Sequence, residues 1–279
     1  LESYMVPRSA FPMYGNMINI SRSTSDSIHI FPRYFREMVK QSASYKNGID
    51  VKRGFYDNRL FISDGLFKNK KLPFYSNEET LTGLLEDTLK IKVRFGNQRN
   101  ELINYTRLYS RPSDSLFTPM MHDSDNYLAE QVLLMAGNAC LGYISDERMI
   151  DSLLKSSLHD LPQKPRWVDG SGLSRYNLFT PKSFVYILEK MKNEFGMERL
   201  KTILPTGGEG SLSNLYESAK GFIFAKSGTL SNNSALSGYL YTEKGRLLIF
   251  SILINHYPGK SAPVRHATEK FLLRIRKKF

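Results

Sequence analysis

The sequence has 279 residues, 41% of them hydrophobic, and a formal net charge of +12. That length allows two domains and that apolar share supports a sizeable core, which excludes a disordered or collagen-like chain. No apolar run approaches the ~18 residues of a membrane span, and a single cysteine, Cys140, excludes an internal disulfide.

Residues 1–104 read as a mostly β region. Residues 16–21 and 27–31 alternate in the strand manner, and 51–55 and 59–62 are short strands around the turn pair Asp57-Asn58. Residues 80–90 break the trend. Leu81, Leu84, Leu85 and Leu89 share one helical face, and Glu78 and Glu79 sit at the favourable N-terminal end.

From residue 105 the pattern changes. Residues 105–109 read as a short strand, and Pro112 starts a helix with Ser110 or Ser113 as its cap. Residues 126–141 read as a buried helix, with Cys140 a buried small hydrophobe rather than a reactive thiol. Residues 145–158 are amphipathic. Thr180-Pro181 is a cap followed by proline at the first helical position, and that helix runs to about Phe195. Residues 198–204 form a further helical turn or two. Strands are expected at 221–229, 234–242 and 246–255, with Glu243-Lys244-Gly245 turning the last pair, and a helix closes the chain over 262–278. Helices, then consecutive antiparallel strands, then a helix describe an α+β domain over 105–279.

The basic balance, with a pI near 9.6, points to polyanionic neighbours: nucleic acid, anionic lipid or acidic wall polymers. Its densest cluster, Arg274-Ile275-Arg276-Lys277-Lys278, is at the end of the chain, where a charge run is usually a solvated face. No nucleic-acid-binding motif accompanies it, so nucleic acid is not an expected partner. The five histidines (29, 122, 159, 256 and 266) show no zinc-binding spacing. His122 lies too close in sequence to Ser124 to face it as a base, and no Gly-x-Ser-x-Gly elbow is present. Gly207-Gly208-Glu209-Gly210 lacks the Lys-Ser/Thr of a phosphate loop and reads as a turn.

Three stretches carry a resemblance. Met121-His122-Asp123-Ser124-Asp125-Asn126 contains Ser-Asp-Asn. Ala225-Lys226-Ser227-Gly228-Thr229-Leu230 contains Lys-Ser-Gly. In that order these are the second and third motifs of the serine β-lactamase and penicillin-binding type. Between them, Val168-Asp169-Gly170-Ser171-Gly172-Leu173-Ser174-Arg175-Tyr176-Asn177 resembles a loop of one branch. The chain from about residue 105 thus resembles the transpeptidase domain of low-molecular-mass penicillin-binding proteins, in the D-alanyl-D-alanine carboxypeptidase/endopeptidase family with inserted accessory domains. The resemblance implies a serine β-lactamase/transpeptidase-like fold, an antiparallel sheet flanked by helices, with residues 1–104 the later part of the inserted region.

The resemblance also implies roles. Ser124 relays a proton between the nucleophile and the leaving nitrogen, Asn126 donates to the substrate carbonyl, and Lys226 holds the relay in register and attracts the terminal carboxylate. The Thr229 N–H supplies half an oxyanion hole, and the hydroxyls of Ser227 and Thr229 bind the carboxylate. Gly228 admits the substrate backbone, which would pair with the strand. Leu173 and Arg175 are candidate pocket residues. Position 227, where Thr is commoner, keeps the hydroxyl as Ser. No metal or organic cofactor is implied. The expected partners are peptidoglycan stem peptides and β-lactams, and the expected location is the periplasm or cell envelope.

The nucleophile motif, Ser-x-x-Lys, should come first. Its one occurrence, Ser152-Leu153-Leu154-Lys155, follows the second motif and lies in mid-helix, so it reads as an exposed helical pair. The expected nucleophile therefore lies on an N-terminal segment upstream of Leu1. The absence of an initial Met and of a basic-then-apolar leader fits a processed or trimmed chain. The alternative is a non-catalytic peptidoglycan-binding relative that keeps the cleft without the chemistry.

Overall fold

The computed structural model describes residues 6–23, 27–41, 51–62, 69–96, 106, 109 and 111–279. The strand expected at 105–109 and the expected boundary at 104/105 fall mostly outside them. The chain divides into two compact units, Leu1–Leu108 and Tyr109–Phe279.

The first unit carries strands β1 (Met17–Arg22), β2 (Ile28–Phe31), β3 (Val39–Gln41), β4 (Val51–Arg53), β5 (Leu60–Ile62) and β6 (Asn69–Pro73), then helix α1 (Glu78–Leu89). They form two three-stranded sheets, β2-β1-β6 and β3-β5-β4. Ile18 and Ile20 are buried two residues apart on one face of β1, packed in one core with Phe35, Leu60, Phe74 and Leu84. Asn77 caps α1 by accepting from the Thr80 N–H at 2.8 Å. Asn58, expected in a turn, is a buried amide: its Nδ2 donates to Tyr75 O at 2.8 Å and its Oδ1 accepts from Tyr75 N at 2.7 Å. Strand β6 was not expected, because Asn69-Lys70-Lys71 shows no apolar alternation.

The second unit is α+β. It carries α2 (Asp114–His122), α3 (Asn126–Leu141), α4 (Asp146–Lys155), α5 (Pro181–Phe195), α6 (Met197–Ile203), strands β7 (Ile223–Leu230), β8 (Asn233–Tyr241) and β9 (Leu247–Asn255), and α7 (Ser261–Lys278). The strands form an antiparallel sheet in the order β7-β8-β9. Successive side chains alternate between faces. Ile223 and Ala225 join Leu236 and Leu240 in a core with Leu272 of α7. Phe224 and Tyr239 join Leu188 of α5 and Leu200 of α6 on the other face. The buried Tyr239 hydroxyl is satisfied by donating to Leu188 O at 2.6 Å, and burial raises its pKa. Gly238 lets the first two strands close up, since a Cβ there would lie 2.2 Å from Phe224 O.

Local signals set the helices. Thr180 accepts from the Ser183 N–H at 3.2 Å with Pro181 following, and Ser145 accepts from the Arg148 N–H at 3.2 Å. Helix α2 begins at Asp114 with Ser113 at its cap position, two residues after the expected Pro112 start. Helix α3 buries one face, through Tyr127, Gln131, Leu133, Leu134 and Gly137. Its last turn does not follow: Cys140 is exposed, which corrects the expectation of a buried thiol. Leu141 beside it still packs against the Leu133, Met149 and Ile150 core shared with α4.

Candidate active site

The site begins at the joint between α2 and α3. Helix α2 is held by Arg199 of α6, whose Nη2 donates to Asp114 Oδ1 at 2.7 Å. Its Met121 packs against the core formed by α5, α6 and the sheet. The helix stops at His122, and Asp125 restarts the chain as α3 by accepting from the Leu128 N–H at 3.0 Å. Between them Ser124 adopts φ +56°, the left-handed region that a serine rarely enters. The turn is thus fixed from both sides, and Ser124 is presented at its apex.

Lys226 on β7 reaches that apex. Its Nζ donates to Ser124 Oγ at 2.7 Å and to Ser227 O at 2.6 Å. Residues 102 apart in sequence therefore share one hydrogen bond. Burial of the ammonium lowers its pKa to about 8. Asn126 is the first residue of α3 and is half-buried. Among the described residues its side-chain amide has no hydrogen-bond partner, so its donors are free.

The edge of β7 that faces away from β8 is only partly covered. Ala225 N–H donates outward to Pro205 O at 3.1 Å. Strand alternation then directs the N–H groups of Ser227 and Thr229 outward on the same edge, beyond that cover. The side chains of Ser227 and Thr229 lie on the sheet face opposite Lys226, where they line a small cavity beside α7. Gly228 is exposed, and a Cβ there would meet only Ala235 Cβ, at 3.6 Å. The structure thus brings Ser124 and Lys226 together and sets the Ser227 and Thr229 hydroxyls apart from them. The period of two in the strand already carried that signal.

The loop 168–177 spans both walls. Asp169 organises it: Oδ1 accepts from the Gly172 N–H at 2.7 Å and from Asn177 Nδ2 at 2.7 Å, and Oδ2 accepts from the Ser174 N–H at 2.6 Å. On one side, Ser171 N–H donates to Glu130 Oε1 of α3 at 3.0 Å. Gly170 lies against that helix so closely that a Cβ would come within 2.7 Å of Ala129 O. On the other side, Arg175 Nη2 donates to Ser231 O, in the turn after β7, at 3.2 Å. Leu173 is 44% exposed at the loop surface.

The glycine turn 207–210 packs behind the α2–α3 joint, which its sequence did not show. Gly210 sits at φ +48° with His122 behind it, and a Cβ would lie 2.6 Å from His122 O. Ser152 and Lys155 are elsewhere, in α4. Lys155 pairs with Asp151 at 3.7 Å rather than with Ser152.

The model of the D-Ala-D-Ala carboxypeptidase 3 (S13) family matches residues 79–275. A carboxypeptidase DacB of Mycolicibacterium smegmatis is 29% identical over 158 residues, 53% of this chain and 34% of that protein. A D-alanyl-D-alanine carboxypeptidase of an Actinomadura species is 39% identical over 99 residues, 33% of this chain and 18% of that protein. The matched stretches therefore span about a third or less of these relatives. In fold, the chain resembles the crystal structure of penicillin binding protein 4 from Haemophilus influenzae, with a TM-score of 0.70 at 22% identity over 99% of this chain and 69% of that one. A predatory peptidoglycan endopeptidase from Bdellovibrio bacteriovorus follows with a TM-score of 0.52 at 13% identity, over 92% of this chain and 80% of that one. The family match covers well over half of the chain and includes the joint, the loop and the strand just described: the chain belongs to the D-Ala-D-Ala carboxypeptidase 3 (S13) family.

Proposed function

We propose that this chain supplies the substrate-binding wall and proton relay of a serine D-Ala-D-Ala carboxypeptidase, with endopeptidase activity as a related use of the same cleft. Its substrates are peptidoglycan stem peptides, and β-lactams acylate it as mimics of the terminal dipeptide. The observation that carries the reading is the Lys226 Nζ–Ser124 Oγ hydrogen bond of 2.7 Å. A lysine whose burial brings its pKa to about 8 can hold a serine hydroxyl in the orientation that passes a proton on.

In this reading Ser124 carries a proton from the nucleophile side to the leaving amine. Asn126 offers its free amide donors to the substrate carbonyl. The outward Thr229 N–H serves as an oxyanion donor, and the substrate adds as a strand along the open edge of β7, passing the bare Gly228. Ser227 and Thr229 hydroxyls take the terminal carboxylate. Leu173 and Arg175 line the pocket for the preceding stem-peptide residue. The acylated serine and its lysine belong to a segment outside residues 1–279, because among the described residues Ser152 has no activating partner and Lys155 pairs with Asp151. Residues 1–104 are the later part of an accessory region inserted into the catalytic domain. The substrate places the protein at the cell envelope, on the periplasmic side of the cytoplasmic membrane. Among the described residues no helix is long and apolar enough to cross a membrane.

Intact-protein mass spectrometry after incubation with penicillin tests this, on this chain and on a longer gene product side by side. An adduct only on the longer product is expected. An adduct on this chain would overturn the placement of the nucleophile. No adduct on either would replace the enzyme with a non-catalytic peptidoglycan binder.

A further inference from the structure

We propose that Arg265 of α7 is the cation that binds the substrate's terminal carboxylate, approached from the face of β7 opposite Lys226; this rests on the carboxypeptidase reading of the cleft. The cavity behind the strand has a volume of about 20 Å³ and is walled by Ser227, Thr229, Ser234, Tyr216, Thr268 and Arg265, among others. It brings five hydroxyl side chains and one guanidinium to one place, next to the open edge where the peptide would end.

Arg265 is half-buried and is held but not neutralised. Its Nη2 donates to Ser211 O at 3.0 Å. That contact uses one of five N–H donors. The nearest acid on its own helix face, Glu269, is occupied: Oε1 accepts from the Tyr216 N–H, and Oε2 pairs with His266 Nδ1 at 3.2 Å. Among the described residues no carboxylate forms an ion pair with Arg265. A half-buried guanidinium with spare donors and no ion pair among the described residues is an arrangement that a bound carboxylate completes, with the planar fork matching its two oxygens.

Lys226 is poorly placed for the same task. Two of its three donors are already committed, to Ser124 Oγ and Ser227 O, and its side chain leaves the strand on the other face. The two cations therefore divide the work. Lys226 serves the relay, and Arg265 serves the carboxylate together with the Ser227 and Thr229 hydroxyls. The Ser211 contact adds a structural benefit, since it anchors Arg265 to the turn that packs behind His122.

The test is binding of acetyl-D-Ala-D-Ala and of its C-terminal amide to this chain, followed by chemical-shift titration. The wild type is expected to bind the acid at least about tenfold more tightly than the amide. Arg265→Ala should lose about tenfold on the acid and nothing on the amide, erasing that preference. Arg265→Lys, which keeps the charge but not the fork, should fall between. Should Arg265→Ala fail to fold by thermal melt, the acid-to-amide ratio of Arg265→Lys decides. A wild type indifferent to the carboxylate, or an arginine variant that keeps the full preference, overturns the assignment. Acid-selective binding that needs Arg265, in a protein whose longer product takes no β-lactam, would retain this site and discard the enzyme.

Discussion

Lys226 gives a prediction with a worked sign. Burial lowers its pKa from 10.5 to about 8, so between those values the unfolded chain holds a proton that the native state has lost. Stability then rises with pH across that window. It is lost again as pH falls, and below pH 8 the fold carries the full penalty of a desolvated ammonium. From about pH 7.5 to about pH 9.5 the linkage amounts to roughly 2 kcal/mol, and the residual solvent contact of a half-buried side chain reduces it to about 1 kcal/mol. Lys226→Met removes the titration but preserves the stem. Urea denaturation can be followed by the fluorescence of Trp167, the single tryptophan, which lies in the second unit. Wild type should gain about 1 kcal/mol over the variant between those two pH values. Stability curves that stay parallel would show that Lys226 is not desolvated, and the account of the relay would fail with them.

Three further outcomes follow from the same geometry. Gly210→Ala should cost about 2 kcal/mol or more, because the new methyl meets the His122 carbonyl, whereas Gly208→Ala, at φ +78° but with only Glu217 Cγ nearby at 3.7 Å, should cost about 1 kcal/mol; equal melting temperatures for the two would remove the clash from the argument. Asp169→Ala strips the loop of its acceptors for Gly172, Ser174 and Asn177 and should destabilise the second unit by about 2–3 kcal/mol; hydrogen exchange at the Gly172 and Ser174 amides should rise, and unchanged protection there would contradict it. Cys140 should react with a thiol reagent in the native protein, since it is exposed; reaction only after denaturation would contradict the placement of the last turn of α3.

What the sequence revealed was local. Thr180-Pro181 and Glu78-Glu79 marked helix starts because caps and the helix dipole act through the nearest backbone groups. The strand expected at 221–229 is β7 (Ile223–Leu230), whose two faces each meet a core. What it hid was long-range. The burial of Asn58 depends on Tyr75, and the constraint on Gly210 depends on His122. β6 is a strand because β1 offers it a ladder, not because Lys70 and Lys71 favour one. In the site, the motifs located Ser124 and Lys226, while Arg265 sits on a helix whose basic residues read as solvated surface. Only the cavity it shares with Ser227 distinguishes it from them.

The loop 168–177 has a further consequence. It touches α3 through Gly170 and Ser171 and the turn after β7 through Arg175, so the stretch between those anchors works as a gauge block between two jaws. In the cleft proposed above, its residue count, more than the identity of any one side chain, would set how wide a molecule the jaws admit. An insertion or deletion between positions 171 and 175 would therefore recalibrate the opening in one evolutionary step, leaving every reacting group in place.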